Sequence, residues 1–237
     1  PTYNEAENIP GLVNAISSLS TPFDILVIDD NSPDGTASLV KEMMPSFPNL
    51  HILERPSKSG LGRAYIAGFD WALQRDYKYI CEMDADFSHD PDDLVRLWDA
   101  CENGGADLAI GSRYISGVNV VNWPMGRVLM SYIASMYVRI ITGMKIMDTT
   151  AGFKCYRRDV LMNINPGHIR LVGYGFQIEM KFTAWKLGYK IVEVPIIFTD
   201  RRAGTSKMSG GIFGEAMWGV LRMKITSIFR KPRRIVT

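Results

Sequence analysis

Short apolar runs alternate with helix-patterned stretches through the first half of this chain, and that rhythm narrows its possible folds more than any other feature. Residues 23–28 (FDILVI) are apolar and β-branched and lead into Asp29-Asp30; 50–53, 79–83 and 107–110 repeat the theme. Runs of this kind read as strands buried on both faces. Between them lie helical patterns at 5–19, 36–44, 62–73 and 91–101, the last opened by Asp90 as cap and Pro91 in the first turn. Strand alternating with helix predicts an α/β, Rossmann-like, mostly parallel sheet flanked by helices, with right-handed crossovers. Such sheets bind ligands beyond the carboxyl ends of their strands. Both acidic clusters, Asp29-Asp30 and Asp84/Asp86, fall at such ends.

After residue 112 the rhythm changes. A loop over 116–126 precedes an apolar helix at 127–142, then a strand-like piece at 153–156 and a helix at 175–187. Residues 189–198 read as a strand, and Pro195 assigns it to a sheet edge. A polar, Gly- and Ser-rich loop at 201–211 is expected to be mobile. The stretch 212–229 is amphipathic, with Met217, Trp218, Leu221, Ile225 and Ile228 on one side and Glu215, Gly219, Arg222 and Thr226 on the other. It is either a helix packed on the domain or an interfacial helix whose basic tail meets anionic lipid. The expected organisation is one main unit over 1–210 and an amphipathic helix with a basic tail over 211–237.

With 237 residues, 46% hydrophobic and 22% charged, the chain has the make-up of a folded enzyme and not of a disordered segment. A net charge of +2 argues against nucleic acid as a partner. Charge is nonetheless uneven, acidic at 24–34 and 82–93 and basic at Arg230, Lys231, Arg233 and Arg234. Cys81, Cys101 and Cys155 lack metal-ligand spacing and suit reduced thiols in the cytoplasm. No run reaches the ~18 apolar residues of a membrane span, so the chain is expected not to cross a bilayer. It begins at Pro1-Thr2-Tyr3-Asn4-Glu5 without the apolar strand such a turn calls for, and a preceding segment is expected.

Asp84-Ala85-Asp86 carries the chemistry. In an extended segment residues i and i+2 share a side, and two carboxylates there repel unless a cation lies between them. Mg²⁺ or Mn²⁺ suits such hard oxygen ligands. Solvated turns also produce Asp-x-Asp, but here it directly ends an apolar strand. Ser88 and His89 are near enough to add a ligand, although His89 reads more simply as a loop or capping residue. In Asp29-Asp30-Asn31-Ser32-Pro33-Asp34-Gly35, Asp34 caps the next helix while Asp30 can accept hydrogen bonds from a base or ribose. Gly60-Leu61-Gly62 lacks the third glycine of a dinucleotide loop, Tyr65 standing in its place, and no G-x-x-x-x-G-K-[ST] exists. The glycines read as a tight turn and close helix packing. Asp200-Arg201-Arg202-Ala203-Gly204-Thr205-Ser206-Lys207 is either a solvated surface loop or a cationic lid over a departing diphosphate. Arg127 and Ser131, one helical turn apart, either grip a phosphate or serve as a helix-start charge and a packed hydroxyl.

These segments, with Pro1-Thr2-Tyr3-Asn4-Glu5 and Gly111-Ser112-Arg113-Tyr114, occur in an order that resembles the family 2 glycosyltransferases, in particular the dolichyl-phosphate (polyprenyl-phosphate) mannose synthase type. The similarity runs nearly end to end. It implies a GT-A fold and transfer of mannose, with inversion, from GDP-mannose to a polyprenyl phosphate. By the same resemblance, Pro1, Tyr3, Glu5, Ile28 and Asp30 would bind the nucleotide. Asp84, Ala85 and Asp86 would meet the diphosphate and metal, with Asp86 at the catalytic centre. Arg201 and Lys207 would close over the donor phosphates, and Arg113, Arg127 and Ser131 would hold the acceptor phosphate. Some relatives place a Gln on the metal where this chain has Ser88, a departure from the pattern. Some carry C-terminal membrane spans, so membrane contact here would rest on amphipathic helices. The implied location is the cytoplasm, peripheral on the cytoplasmic face of a membrane.

Mechanism bears on the acceptor separately. A hydroxyl acceptor needs a general base, whereas a phosphate monoester, with its second pKa near ~6, is already largely a dianion at neutral pH. Family members acting on hydroxyls often carry a Glu-Asp pair in the late helix, where this chain has Gln177-Ile178-Glu179. Alternatives are the same fold using UDP-glucose or another donor, a non-catalytic nucleotide-sugar binding module and, last, a sugar-nucleotide hydrolase.

Overall fold

The computed structural model describes residues 1–171, 173–200 and 211–229. Strands β1 (Ile25–Asp29) and β2 (Leu50–Glu54) pair in parallel; β3 (Tyr79–Glu82) and β4 (Leu108–Ser112) enter a four-stranded sheet with β6 (Lys154–Arg157) and β7 (Ile191–Pro195). The order of that sheet is β3-β6-β4-β7, with β7 parallel to β4 and β6 antiparallel to both neighbours. A short parallel pair, β5 (Val120–Val121) with β8 (Phe198–Thr199), closes the loop over 116–126. Parallel pairing thus predominates as expected, and β6 is the exception. Pro195 ends β7 at the sheet edge, where a missing N–H costs no ladder bond. Thr2 bridges to Asp29 in parallel. Between β1 and β3 lies a cavity of about 590 Å³ whose walls include Leu26, Ile28, Ile80 and Glu82.

The helices are α1 (Ile9–Ser17), α2 (Thr36–Met43), α3 (Leu61–Leu73), α4 (Asp93–Glu102), α5 (Met125–Thr142), α6 (Arg158–Ile164), α7 (Tyr174–Lys186) and α8 (Gly211–Phe229). Strand side chains alternate between two cores, as a period of two requires. Leu108, Ile110 and Tyr156 join Phe69 of α3, Leu161 of α6 and Met180 of α7, while Ala109 and Cys155 join Leu12 of α1 and Leu97 of α4. The three cysteines are free. α1 and α4 begin later than expected. α1 begins at Ile9 because Asn4 is left-handed (φ 59°) and the Glu5 N–H donates to Thr36 Oγ1. α4 begins at Asp93, after a turn in which the Asp90 carboxylate accepts the Asp92 N–H at 3.1 Å.

α8 docks through a side that its sequence pattern does not single out. Val220 is buried in the core and Met223 packs against it, whereas Trp218, Ile225 and Ile228 are exposed. Lys224 Nζ donates to the Thr142 carbonyl at 2.9 Å, and Tyr137 donates to the Met217 carbonyl at 3.1 Å, tying α8 to α5. α5 likewise exposes Met125, Leu129, Ile133, Met136 and Ile140 along one stripe. Among the described residues, no helix is long and apolar enough to cross a membrane.

Candidate active site

β1 delivers Asp29 and Asp30 to different tasks. Asp29 is buried and accepts from Thr2 Oγ1 (2.9 Å), Ser32 N–H (2.8 Å) and Ser32 Oγ (2.5 Å), which shapes the turn through left-handed Asn31. Asp30 pairs with Arg55 at 2.6 Å, a partner that follows β2. Asp34 accepts the Thr36 N–H and hydroxyl and, with its other oxygen, the Ala6 N–H at 3.0 Å. Burial alone would raise its pKa, but these donors prevail and hold it below the usual value. Tyr3 lies under Lys58, whose Nζ is 4.2 Å from the ring centroid, and Glu5 holds Asn8 Nδ2 at 2.8 Å. The 1–5 segment and the 30–36 turn therefore form one rim. Ile28 contributes differently: its side chain packs where Gly68 lacks a Cβ, and its carbonyl accepts the Thr2 N–H.

β3 ends at Glu82, and Asp84-Ala85-Asp86 follows at once. Tyr65 of α3 donates to Asp84 Oδ1 at 3.0 Å, and Asp86 Oδ1 accepts the Ser88 N–H at 3.1 Å. Ala85 packs inward with the α1 and α4 core, and the chain bends from Ala85 to His89 through left-handed Phe87. His89 is buried and its Nδ1 accepts the Asp84 N–H at 3.4 Å, while its ring stacks on Phe153 at 4.7 Å. Burial lowers its pKa and favours the neutral ring. His89 is a buttress of the acidic turn. Ser88 Oγ is buried without a hydrogen-bond partner among the described residues. Two carboxylates at a strand end suit a hard divalent ion that keeps water and substrate oxygens as its other ligands. No group of three or more His, Cys, Asp or Glu side chains gathers as a complete metal cage among the described residues.

Beneath this turn lies a buried polar layer that the sequence does not announce. Lys154, opposite Glu82 in the β3–β6 register, pairs with that carboxylate and also donates to Gln177 Oε1. Lys181 Nζ donates to the Ala151 carbonyl at 2.5 Å. Burial pushes Glu82 up and both lysines down, while their mutual attraction opposes neutralisation in the Glu82–Lys154 pair.

The three residues expected at an acceptor phosphate sit together around Trp123 and the start of α5, but the arginines are already engaged. Arg113 is buried and donates through Nε (2.7 Å) and NH2 (2.6 Å) to Asp148, and through NH2 to Thr150 Oγ1 (2.7 Å). Arg127 pairs with half-buried Asp200 at 2.9 Å and stacks on Trp123 with its guanidinium 4.0 Å from the ring centroid. Ser131 lies beside the buried Tyr114 hydroxyl. Arg201 and Lys207 lie outside the described residues. Glu179 in α7 accepts the N–H groups of Arg170 (2.9 Å) and Leu171 (2.8 Å) through one oxygen, which ties it to that loop. Sequence reasoning missed Arg55, Tyr65, Asp148 and Lys154 as partners of the acidic and basic residues it singled out. Spacing gave no signal for these cross-chain pairs, since each joins elements far apart in sequence.

An α/β fold with carboxylates at the ends of β1 and β3, together with the relatives that follow, defines a glycosyltransferase of the GT-A-like class. The chain belongs to the family described as Glycosyl transferase family 2, whose pattern matches residues 1–164. It is 47% identical over 237 residues, all of this chain and 89% of the relative, to a polyprenol monophosphomannose synthase of Mycolicibacterium smegmatis. It is 48% identical over 222 residues, 94% of this chain and 90% of the relative, to an undecaprenyl-phosphate mannosyltransferase of Micrococcus luteus. Among solved structures, glucosyl-3-phosphoglycerate synthase from Mycobacterium tuberculosis, in complex with Mn²⁺, UDP and glucosyl-3-phosphoglycerate, superposes with a TM-score of 0.69 at 18% identity, covering 94% of this chain and 77% of that one. The latter likeness establishes the shared fold.

Proposed function

We propose that this enzyme transfers mannose from GDP-mannose, with inversion, to a polyprenyl phosphate, and that it works as a peripheral membrane protein. The observation that carries this reading is the make-up of α7: the amide Gln177 is buried there, and Glu179 holds the Arg170 and Leu171 N–H groups through Oε2. An acceptor that arrives as a phosphate dianion needs no base. The names of the relatives, which act on polyprenol and undecaprenyl phosphates, support the same acceptor class.

Asp84 and Asp86 would hold Mg²⁺ or Mn²⁺, which supplies positive charge for the diphosphate as it leaves. Pro1, Tyr3, Glu5 and Asp30 line the rim on which the guanosine is proposed to rest; Ile28 supports that rim from beneath. Arg201 and Lys207 are proposed to cover the departing diphosphate. Arg127, on the exposed side of the acceptor group, exchanges Asp200 for the lipid phosphate; Ser131 adds a hydroxyl, and buried Arg113 adds positive charge from below. An acceptor oxygen then attacks the anomeric carbon from the face opposite the leaving group. Arg127 and Ser131 lie on the side of α5 turned away from the stripe that begins at Met125 and Leu129, so contact of that stripe with lipid would leave both residues facing the cleft.

Incubation with GDP-mannose, a polyprenyl phosphate and Mg²⁺ or Mn²⁺ is expected to yield a lipid-linked sugar. A donor panel that includes UDP-glucose, run with and without lipid phosphate, checks the base and the sugar. No lipid product with any donor or metal would overturn the proposal, and free sugar released equally fast without acceptor would indicate hydrolysis.

A further inference from the structure

Gln177 is 2% exposed, and its Nε2 has no hydrogen-bond partner among the described residues. The orientation of the amide is fixed by its neighbour. Lys154 Nζ contacts the other end of the group, and an ammonium only donates, so that end is the carbonyl oxygen and the N–H₂ faces away. It faces Gly152. A Cβ built on Gly152 would meet only Gln177 Nε2, at 3.6 Å, and Asp84 Oδ2, at 4.0 Å. The missing Cβ leaves a small space with a buried amide donor on one wall and a carboxylate acceptor on another. Asp84 Oδ1 is turned towards Tyr65, which leaves Oδ2 on the Gly152 side.

A buried donor without an acceptor is destabilising, so such a group calls for an occupant that accepts from it. A hydroxyl fits both walls at once, accepting from the amide and donating to the carboxylate. The space adjoins the acidic turn proposed to hold the donor diphosphate, to which the sugar is attached. We infer that Gln177 is a specificity-determining residue of the donor site, its N–H₂ binding a hydroxyl of the transferred sugar over Gly152 together with Asp84 Oδ2. This inference rests on the glycosyl-donor reading given above, and it assigns Gln177 a role in binding, not in proton transfer.

Two variants test it. Gln177→Glu keeps an acceptor for Lys154 and loses the donor; Gly152→Ala fills the space at ordinary contact distance. Affinities for the nucleoside diphosphate and for the nucleotide sugar are measured by calorimetry with Mn²⁺, alongside melting curves. Each variant is expected to weaken the nucleotide sugar by about tenfold and to leave the nucleoside diphosphate unchanged. A set of monodeoxy sugar donors is expected to include one that binds the wild type about tenfold more weakly and loses nothing further in Gln177→Glu. Equal losses for nucleotide and nucleotide sugar, or no loss for either, would overturn the inference. If the protein prefers UDP-glucose to GDP-mannose, the mannose reading falls while the Gln177 comparison is made with UDP-glucose. If it binds no nucleotide sugar, both fall.

Discussion

At the scale of single residues, the acidic and basic side chains divide into those that face the cleft and those that hold it in shape. Asp148 belongs to the second group: it is fully buried, receives Nε and NH2 of Arg113, and also takes the Arg113 backbone N–H at 3.0 Å. Burial would raise its pKa, but the guanidinium outweighs that effect and holds it below the usual carboxylate value. A carboxyl with a depressed folded-state pKa adds stability above its unfolded value of ~3.9, and that contribution is lost as pH falls through the lower folded value. Asp148→Asn strands the Arg113 charge in the interior and is expected to cost about 3–5 kcal/mol at pH 7. Denaturant titrations at pH 7 and pH 3 check this, and the gap between wild type and variant should narrow at the lower pH. The sequence made Arg113 conspicuous and left Asp148 silent, because a buried counter-ion 35 positions away has no spacing rule to reveal it.

At the scale of elements, the helices and strands of the first half were legible because each carries its own periodicity and ends at a turn residue. β6 was visible only as a strand-like fragment. A four-residue run cannot declare its neighbours, and its antiparallel insertion between β3 and β4 depends on the whole sheet. α8 shows a different case, a periodicity that left two readings open. Its docked side uses Val220 and Met223, which belong to neither side of the pattern, while Trp218, Ile225 and Ile228 stay exposed beside exposed Arg222 and Thr226. Exposed apolar side chains on both α5 and α8 are the mark of a contact surface. Ile133→Glu with Ile140→Glu on α5 is expected to abolish sedimentation with phosphatidylglycerol vesicles. Stability should change by no more than about 0.5 kcal/mol, since both side chains are exposed. Undiminished vesicle binding would remove α5 from the proposed membrane face.

At the scale of the whole molecule, two cores on either side of the sheet hold rigid strand ends, and the chemistry is assigned to the turns that leave them. The Asp-x-Asp position was readable because a strand end in such a sheet is a cleft by topology. The polar layer under it was not, because Glu82, Lys154, Gln177 and Lys181 meet only once β3, β6 and α7 are assembled. Donor and metal are expected to stabilise the whole fold together. Saturating GDP-mannose with Mn²⁺, at about 100 times the dissociation constant, should add ~2.7 kcal/mol. Chelation of the metal should remove most of that gain, and Asp84→Asn should make the melting temperature insensitive to Mn²⁺. A metal response that survives in the variant would move the ion away from Asp84.

The exposed apolar side chains of α5 and α8 also bear on how the two substrates meet. A polyprenyl phosphate is confined to a sheet of lipid, whereas a nucleotide sugar diffuses through the solution. An enzyme resting on that sheet searches for its acceptor by lateral diffusion in two dimensions and receives its donor from three. Turnover would then follow the surface density of the lipid phosphate in the vesicle and not its bulk concentration, so diluting the acceptor with inert lipid at constant total acceptor would slow the reaction.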